Sequence, residues 1–431
     1  MVHHAIRTFV LLTAVLFSIR VSALQADPPA PPAQPWFPKA PPLSQPAGDS
    51  IQVDNVDSLY KAAKAAQPGQ TLLLADGTYF LSHVLQIRTD RVTLRGKSGR
   101  RDAVVLDCSR SQDHEGIYIA ACNGVTIADL TLANVRQNGY KINSDTGVNN
   151  VTLYNCVGHN IWQRQVKGVP GPLVDGARAG SKDCRIRYCL FYNDRAKRLD
   201  DEPFERANPD QFHGDYIGGI DSMNIRHWEI TDNVFVGIHG KNSAARGAIF
   251  LWNDSRDAVV ERNIIIDCDS GICLGNSFRA EQWKDFAHCS GFLVANNFVT
   301  RCPENNILAD HTKDCRIVFN TVHDPAGRLG RMIRVIHDND GLVVADNLFS
   351  GPRMIIESPG EKLEIRDNLV KPVPDYFVDA DRGNLHLTKS AVDAIGKAKP
   401  MKEVPADIDG VPRGDTPDLG AAQFAPEAGK N

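Results

Sequence analysis

A branched apolar residue, two residues of any kind and an asparagine recur six times along this chain. The copies are Ile230–Asn233, Val260–Asn263, Val294–Asn297, Ile317–Asn320, Val344–Asn347 and Ile365–Asn368. Successive asparagines are 30, 34, 23, 27 and 21 residues apart, irregular intervals that all lie near one coil of a parallel β-solenoid. Weaker copies in the same frame continue upstream at Ile186–Cys189, Leu153–Cys156 and Ile127–Leu130. A unit this short cannot bury its apolar face alone and must stack on its neighbours. The pattern predicts coils from about residue 71 to 370, each with a strand, a short turn, a second strand ending at the asparagine position and a third short strand. Asparagine at a tight turn tolerates left-handed backbone angles, and its amide can bond to backbone groups of adjacent coils. The ladder therefore reads as structural.

A different periodicity precedes the coils. Residues 56–66 (VDSLYKAAKAA) place Val56, Leu59, Tyr60 and Ala63 on one helical face, ahead of a Pro-Gly turn and the apolar strand Thr71–Leu74. A helix here predicts a cap, because an open solenoid end exposes apolar interior and unpaired strand edges. Two departures from the repeat stand out. The Cys189-to-Asn233 interval is 44 residues, and residues 278–290 form a second excursion. Long loops on a regular scaffold are where function tends to sit.

The ends follow other rules. A basic stretch to Arg7, an apolar run from Phe9 to Phe17 and Val21-Ser22-Ala23 predict a secretory signal peptide over 1–23. A proline-rich linker leading away from it is expected over 24–48, the solenoid over 49–370, and an irregular tail over 371–431 packing on the end of the solenoid. In the tail, Asp407, Asp409, Asp415 and Asp418 could hold Ca²⁺ or serve as simple turn residues; no complete twelve-residue calcium loop is present.

Composition narrows the partners. A net charge of −4 over 431 residues argues against general nucleic-acid binding. The cluster Arg178, Lys182, Arg185, Arg187, Arg195, Lys197, Arg198 and Arg206, interleaved with Asp200, Asp201 and Glu202, is either a solvated loop or a wall for a polyanion. Ten cysteines in an exported chain suggest disulfides. Their repeat positions also fit stacked free thiols in a core, with Cys268–Cys302 the best candidate for a bridge. No cysteine or histidine grouping has zinc spacing, and no metal site is assigned.

The stretch AAKAAQPGQTLLLADGTYFL (62–81), continued by VTLRGKSG (92–99), resembles the start of the chondroitinase-B and alginate lyase family. GAIFLWNDSRDAVVERNIIIDCDSGICLGN (247–276), with the terminal DIDG and PDLGA phrases, is similar to secreted bacterial right-handed parallel β-helix proteins. These resemblances imply an all-β, right-handed parallel β-helix with an N-terminal capping helix. By asparagine registry the lyase family's catalytic lysine falls on Asp254 and its catalytic arginine near Gly275-Asn276; neither position carries a basic residue, and the family's Arg-His-Gly signature is missing.

Counting back from each asparagine aligns Asp254 with His311 and Asp338, Trp252 with Ala309 and Ile336, and Phe250 with Ile307 and Arg334. Strand alternation then turns Leu251, Leu308, Ile333 and Val335 inward and Asp254, His311, Arg334 and Asp338 outward. An imidazole or carboxylate can take a proton, and arginine can hold a uronate or sulfate. His311 or Asp338 is expected as the base, Arg334 as the carboxylate clamp and Asp254 as an acid or Ca²⁺ ligand. Trp252 is expected as a sugar-stacking platform, with His213, His239 and Lys241 beside the long insertion as an opposite wall.

The expectation is a secreted, periplasmic or cell-surface monomer, without nucleic-acid or membrane partners after signal cleavage, acting on an extended acidic polysaccharide. Lyase-type β-elimination leads, with Ca²⁺ as the candidate cofactor. An inverting glycoside hydrolase, a uronate C5-epimerase and a non-catalytic glycan-binding solenoid are the alternatives.

Overall fold

In a computed structural model of the chain, residues 31–425 are described, apart from positions 47, 176, 328, 358 and 359. The signal peptide expected over 1–23 lies outside them. The chain winds into a right-handed parallel β-helix with three sheets. The first holds 12 strands, from Ser50–Val53 to Glu364–Arg366, and carries the branched-apolar step of the repeat. The second holds 11 strands, from Gly77–Phe80 to Leu369–Val370, and begins just after each asparagine. The third holds 14, from Leu85–Ile87 to Ile355–Ile356, the surplus arising because several of its strands break at a corner. Among the described residues no helix is long and apolar enough to cross a membrane.

Each coil buries one branched residue per strand in a continuous column, as at Ile186, Ile230, Val260, Val294, Ile317 and Val344. Beside that column runs the asparagine ladder. The side-chain oxygen of Asn297 accepts from the backbone N–H of Asn263 (2.9 Å) and from the side-chain amide of Asn263 (3.0 Å). The Asn297 amide in turn donates to the carbonyl of Val260 (2.9 Å) and to the side-chain oxygen of Asn320 (2.9 Å). The same set repeats from Asn233 to Asn368. The left-handed backbone angle expected of these asparagines falls instead on the residue before each: Asp232, Arg262, Asn296, Phe319, Asp346 and Asp367 have φ between 53° and 60°. The turn strain and the amide bonding are thus carried by adjacent residues.

The N-terminal helix spans Val56–Ala65 and is capped by Asn55 and Ser58 in a reciprocal box. Its buried Leu59, Ala62 and Ala63 close the solenoid end. The winding begins earlier than the predicted residue 71, since Ser50–Val53 already pairs in parallel with Thr71–Leu74.

Two flanking segments depart from expectation. The tail packs along the side of the second sheet and not on the solenoid end. Ala391, Ala394, Leu419 and Ala421 join Val234, Ile264, Phe298 and Leu348 in a second apolar cluster. That cover explains why Ile264, Ile265 and Ile266 run consecutively: both faces of their strand are buried. The proline-rich segment also lies against the solenoid instead of leading away. Arg95 donates to the carbonyls of Leu43 and Ser44, and the Tyr154 hydroxyl to that of Pro41 (2.6 Å). Asp407 accepts from the backbone N–H groups of Asp409, Val411 and Gln423, and Asp418 from those of Gly396 and Phe424, so both serve turns. All ten cysteines are buried free thiols, and no bridge joins Cys268 to Cys302.

The ladder makes a direct prediction. Asn320→Ala strands the backbone N–H of Asn297 and breaks four further amide bonds in a fully buried site, so it costs about 2–4 kcal/mol. Denaturant unfolding of the folded chain checks this; a loss below about 0.5 kcal/mol contradicts it.

Candidate functional site

The outer face of the third sheet is where the side chains that can do chemistry gather. One column on it runs Lys141, Lys167, Asp221, Phe250, Cys273, Leu308 and Arg334, each paired in register with the next. Leu308 therefore faces outward, whereas Ala309, Val335 and Leu251 are buried in the core. The predicted alignment of Ala309 with Trp252 is one residue off, and the cause is local. His311 alone stands opposite the two residues His337 and Asp338, with Asp310 paired to Ile336 and Thr312 to Asn339. The coil of His311 crosses its corner one residue short. Counting from the asparagine is thus correct beyond the corner and wrong before it.

Two adjoining hollows of about 340 and 430 Å³ share Gln211, Phe212, Arg246, Phe250 and Asn276 as lining and form one cleft on this face. Phe250 and Trp252 make its aromatic floor, stacked with centroids 5.2 Å apart. The Trp252 indole N–H donates to Asp221 (3.1 Å). Asp221 is buried and also accepts from Arg164 (2.6 Å) and Lys167 (3.0 Å). Burial alone would raise its carboxyl, but Lys167 and Arg164 outweigh burial and hold it far below the usual range. Asp221 is a fixed anion with no proton to give. Arg164 in turn lies 4.1 Å from the Tyr216 ring. The Arg246 side chain, by contrast, makes no ion pair or hydrogen bond with the described residues and is a charge in the cleft left free for a ligand.

The cleft wall from Gln211 to Tyr216 belongs to the long insertion. Lys197, Glu202 and Glu205 anchor it and are fully buried together. Lys197 donates to the carbonyl of Tyr216 (3.0 Å), and Glu205 accepts from the N–H groups of Gly214 and Tyr216. Much of the basic cluster read from the sequence is thus paired within the protein: Arg195 to Asp201, and Arg185 and Arg187 to Glu229.

At the corner end of the cleft a row of rings continues from Trp252 through His288 (6.0 Å), His311 (5.6 Å) and His337 (4.7 Å). Their protonation follows from their bonds. Asp310 is fully buried, and one of its oxygens accepts from Nδ1 of both His311 and His337, each at 2.7 Å. Its other oxygen accepts from the Ser277 hydroxyl (2.9 Å). Burial pushes the Asp310 carboxyl up, but the bonds from His311, His337 and Ser277 prevail and keep it below its ordinary value. A carboxylate at that position fixes the proton of each neutral imidazole on Nδ1 and leaves each Nε2 lone pair free. His288 has the opposite tautomer. Its Nδ1 accepts from the N–H of Asn253 (3.1 Å), so its Nε2 carries the proton donated to the Asn276 carbonyl (2.7 Å). Gly275 supports this corner with φ of +90°, pressed so closely on the Asp310 carbonyl that a side chain would displace it.

Asp310, His311 and His337 also form the one group of potential metal ligands among the described residues. The two imidazole planes are only 19° apart at 4.7 Å separation. Ligating lone pairs lie in the ring plane about 2.0–2.1 Å from a metal, and near-parallel planes do not meet at that distance. The pair suits proton transfer better than coordination.

The remaining predicted residues are dispersed. Asp254 turns away from the cleft and is held by Arg226 (2.7 Å) and Arg256 (2.8 Å). Arg334 is engaged by Glu357 (2.9 Å), and Asp338 is exposed without a side-chain partner among the described residues. His213 lines the cleft. His239 is bound through Nδ1 to Asp269 (2.7 Å), and Lys241 is exposed outside the lining. Asp310, His337, His288, Asp221 and Arg246 were not singled out from the sequence; the Asp310-His311 and His337-Asp338 doublets were its only trace of the pair.

No family model matches the chain, and no curated protein does. Among solved structures, the pectate lyase Pel9A aligns at 13% identity and a TM-score of 0.49, covering 88% of this chain and 97% of that one. An alginate lyase from Paenibacillus aligns at 13% identity and 0.39, covering 74% and 99%. The Streptococcus pneumoniae surface protein and adhesin PfbA aligns at 14% identity and 0.44, covering 74% and 92%. The chemistry therefore rests on the site's own geometry.

Burial holds the His288 imidazole down at about 4, against about 6.5 when unfolded. The unfolded chain thus binds an extra proton between these values. Stability is full above pH 6.5, falls as pH drops toward 4, and loses nothing further from this group below 4. The difference amounts to about 3 kcal/mol. Unfolding curves across that window show it as a slope that His288→Gln removes; an unchanged slope in the variant contradicts the assignment.

Proposed function

We propose that the protein acts on an extended acidic polysaccharide by abstracting the proton at C5 of a uronate, with β-elimination as the outcome. The observation that carries this reading is the buried Asp310 carboxylate holding two imidazoles by Nδ1, with both Nε2 atoms free beside an aromatic-floored cleft. One Nε2 takes the C5 proton. The electron pair left behind forms the C4–C5 double bond as the C4–O4 bond breaks, and the imidazole that took the proton hands it to the leaving O4, directly or by way of the neighbouring Nε2. Two such atoms side by side fit removal from one face of the sugar. Arg246 takes the clamp role expected of Arg334, neutralising the uronate carboxylate as enolate character develops. In this proposal a guanidinium serves where Ca²⁺ was expected. The Phe250–Trp252 stack supports the sugar ring.

A hydrolytic reading is less well supported, because Asp221 is locked as an anion by two cations. Epimerisation shares the first step and differs in returning the proton to the opposite face. A panel of uronate polysaccharides, assayed for the absorbance of unsaturated ends with and without chelator, tests the proposal. Unsaturated products insensitive to chelator are expected, with His311→Ala or His337→Ala lowering kcat about 10²–10⁴-fold while the melting temperature holds. Reducing ends without absorbance, proton exchange at C5 without cleavage, or binding without turnover would each overturn elimination.

A further inference from the structure

We infer that the protein carries a second saccharide site, around the corner from the first, for an anionic sugar unit bearing carboxylate or sulfate. Its cleft of about 480 Å³ lies between two excursions from the coil, the Leu173–Arg178 hairpin and the loop carrying Gln282, Trp283 and Phe286. Its floor is a short guanidinium ladder, Arg226 paired in register with Arg256 on adjacent coils. The corner residues Asn253 and Asp254, both left-handed, separate it from Trp252 and the site above. None of its lining is shared with that site.

Charge and shape favour this occupant. Arg178, Arg226 and Arg256 face a single carboxylate, Asp254, so the lining is cationic by two charges. Asp254 is buried and already takes both Arg226 and Arg256. It fixes their planes, and the exposed half of Arg256, whose side chain is 46% accessible, is left for a ligand. The Arg178 guanidinium lies 5.8 Å from the Trp283 ring centre. Leu173 and Phe286 are exposed on the opposing jaws, at 65% and 41%, and give the cleft an apolar rim. Fixed guanidiniums between apolar and aromatic walls suit a sugar, with its anionic group on arginine and its C–H face on the rings. The loop from Asn276 to Phe286 ties the two sites together: Asn276 and Phe278 line the first and Trp283 and Phe286 the second. One chain long enough to pass the corner would meet both.

Calorimetry on the full chain tests this with three hexasaccharide probes: a sulfated heparin fragment, oligogalacturonate and neutral cellohexaose. In a Trp252→Ala background, which disables the first site, one anionic probe still binds with 1:1 stoichiometry and weakens with added salt. Which of the two binds separates sulfate from carboxylate. Phe286→Ser and Arg256→Gln each weaken that residual binding at least tenfold, with unchanged melting curves, and leave cleavage of substrates too short to turn the corner unaltered. Loss of all binding in Trp252→Ala alone, equal binding of cellohexaose, or indifference to both substitutions overturns the second site; so does capture of a protein at this cleft with none of the probes bound. Failure of elimination with residual binding intact would refute the proposed reaction and leave this site standing.

Discussion

Everything in this molecule depends on satisfying buried amides where the chain turns between its first and second sheets. A parallel coil must bend at that point, and bending removes the regular strand partners of its backbone groups. Each of those groups left unpaired in the core would cost about 1–3 kcal/mol. Asparagine resolves this by reaching both ways along the axis, accepting from the coil before and donating to carbonyls and to the next asparagine. The residue ahead of it takes the left-handed angle. With that corner fixed, the coils stack in register, and the outer face of the third sheet becomes a ruled surface on which residues far apart in sequence stand about 4.8 Å apart.

Functional groups exploit the freedom left at the other corners. The third sheet turns with only a short amide ladder, Asn123 to Asn149, and its corners vary in length. At His311 the turn is one residue short, and Asp310, covered by the loop that carries Ser277, holds two imidazoles on the same carboxylate. Insertions enter at both ends of this sheet's strands, one ahead of Gly218 and one after Leu274. One is fastened by the buried Lys197, Glu202 and Glu205 and walls the cleft; the other supplies Asn276 to His288 and Ser277 to Asp310. The scaffold holds the reacting groups, and the loops select what reaches them.

The distinction between the two kinds of corner also explains what could be read without coordinates. The ladder announces itself because asparagine, a branched residue and a fixed spacing must coincide in every coil. The capping helix is equally explicit, with Asn55 and Ser58 at its start and Leu59 and Ala63 on its inner face. His311 was found because counting back from Asn320 crosses no irregularity. Asp310 was missed because strict alternation assigns it no role beside an outward His311. Asp254 looked equivalent by count, but Arg226 and Arg256 draw its carboxylate to the far side of the corner. A side chain's partners, unlike its register, are set by neighbours contributed from other coils and loops, and spacing along one chain does not encode them.

The central claim is that Asp310 fixes both imidazoles with the proton on Nδ1 and the base on Nε2. Long-range nitrogen–proton correlation spectra of ¹⁵N-histidine-labelled protein at pH 8 read this directly. The account predicts the Nδ1–H tautomer for His311 and His337 and the Nε2–H tautomer for His288, with Asp310→Asn releasing the first two. Nε2–H at His311 or His337 in the unmodified chain would contradict it.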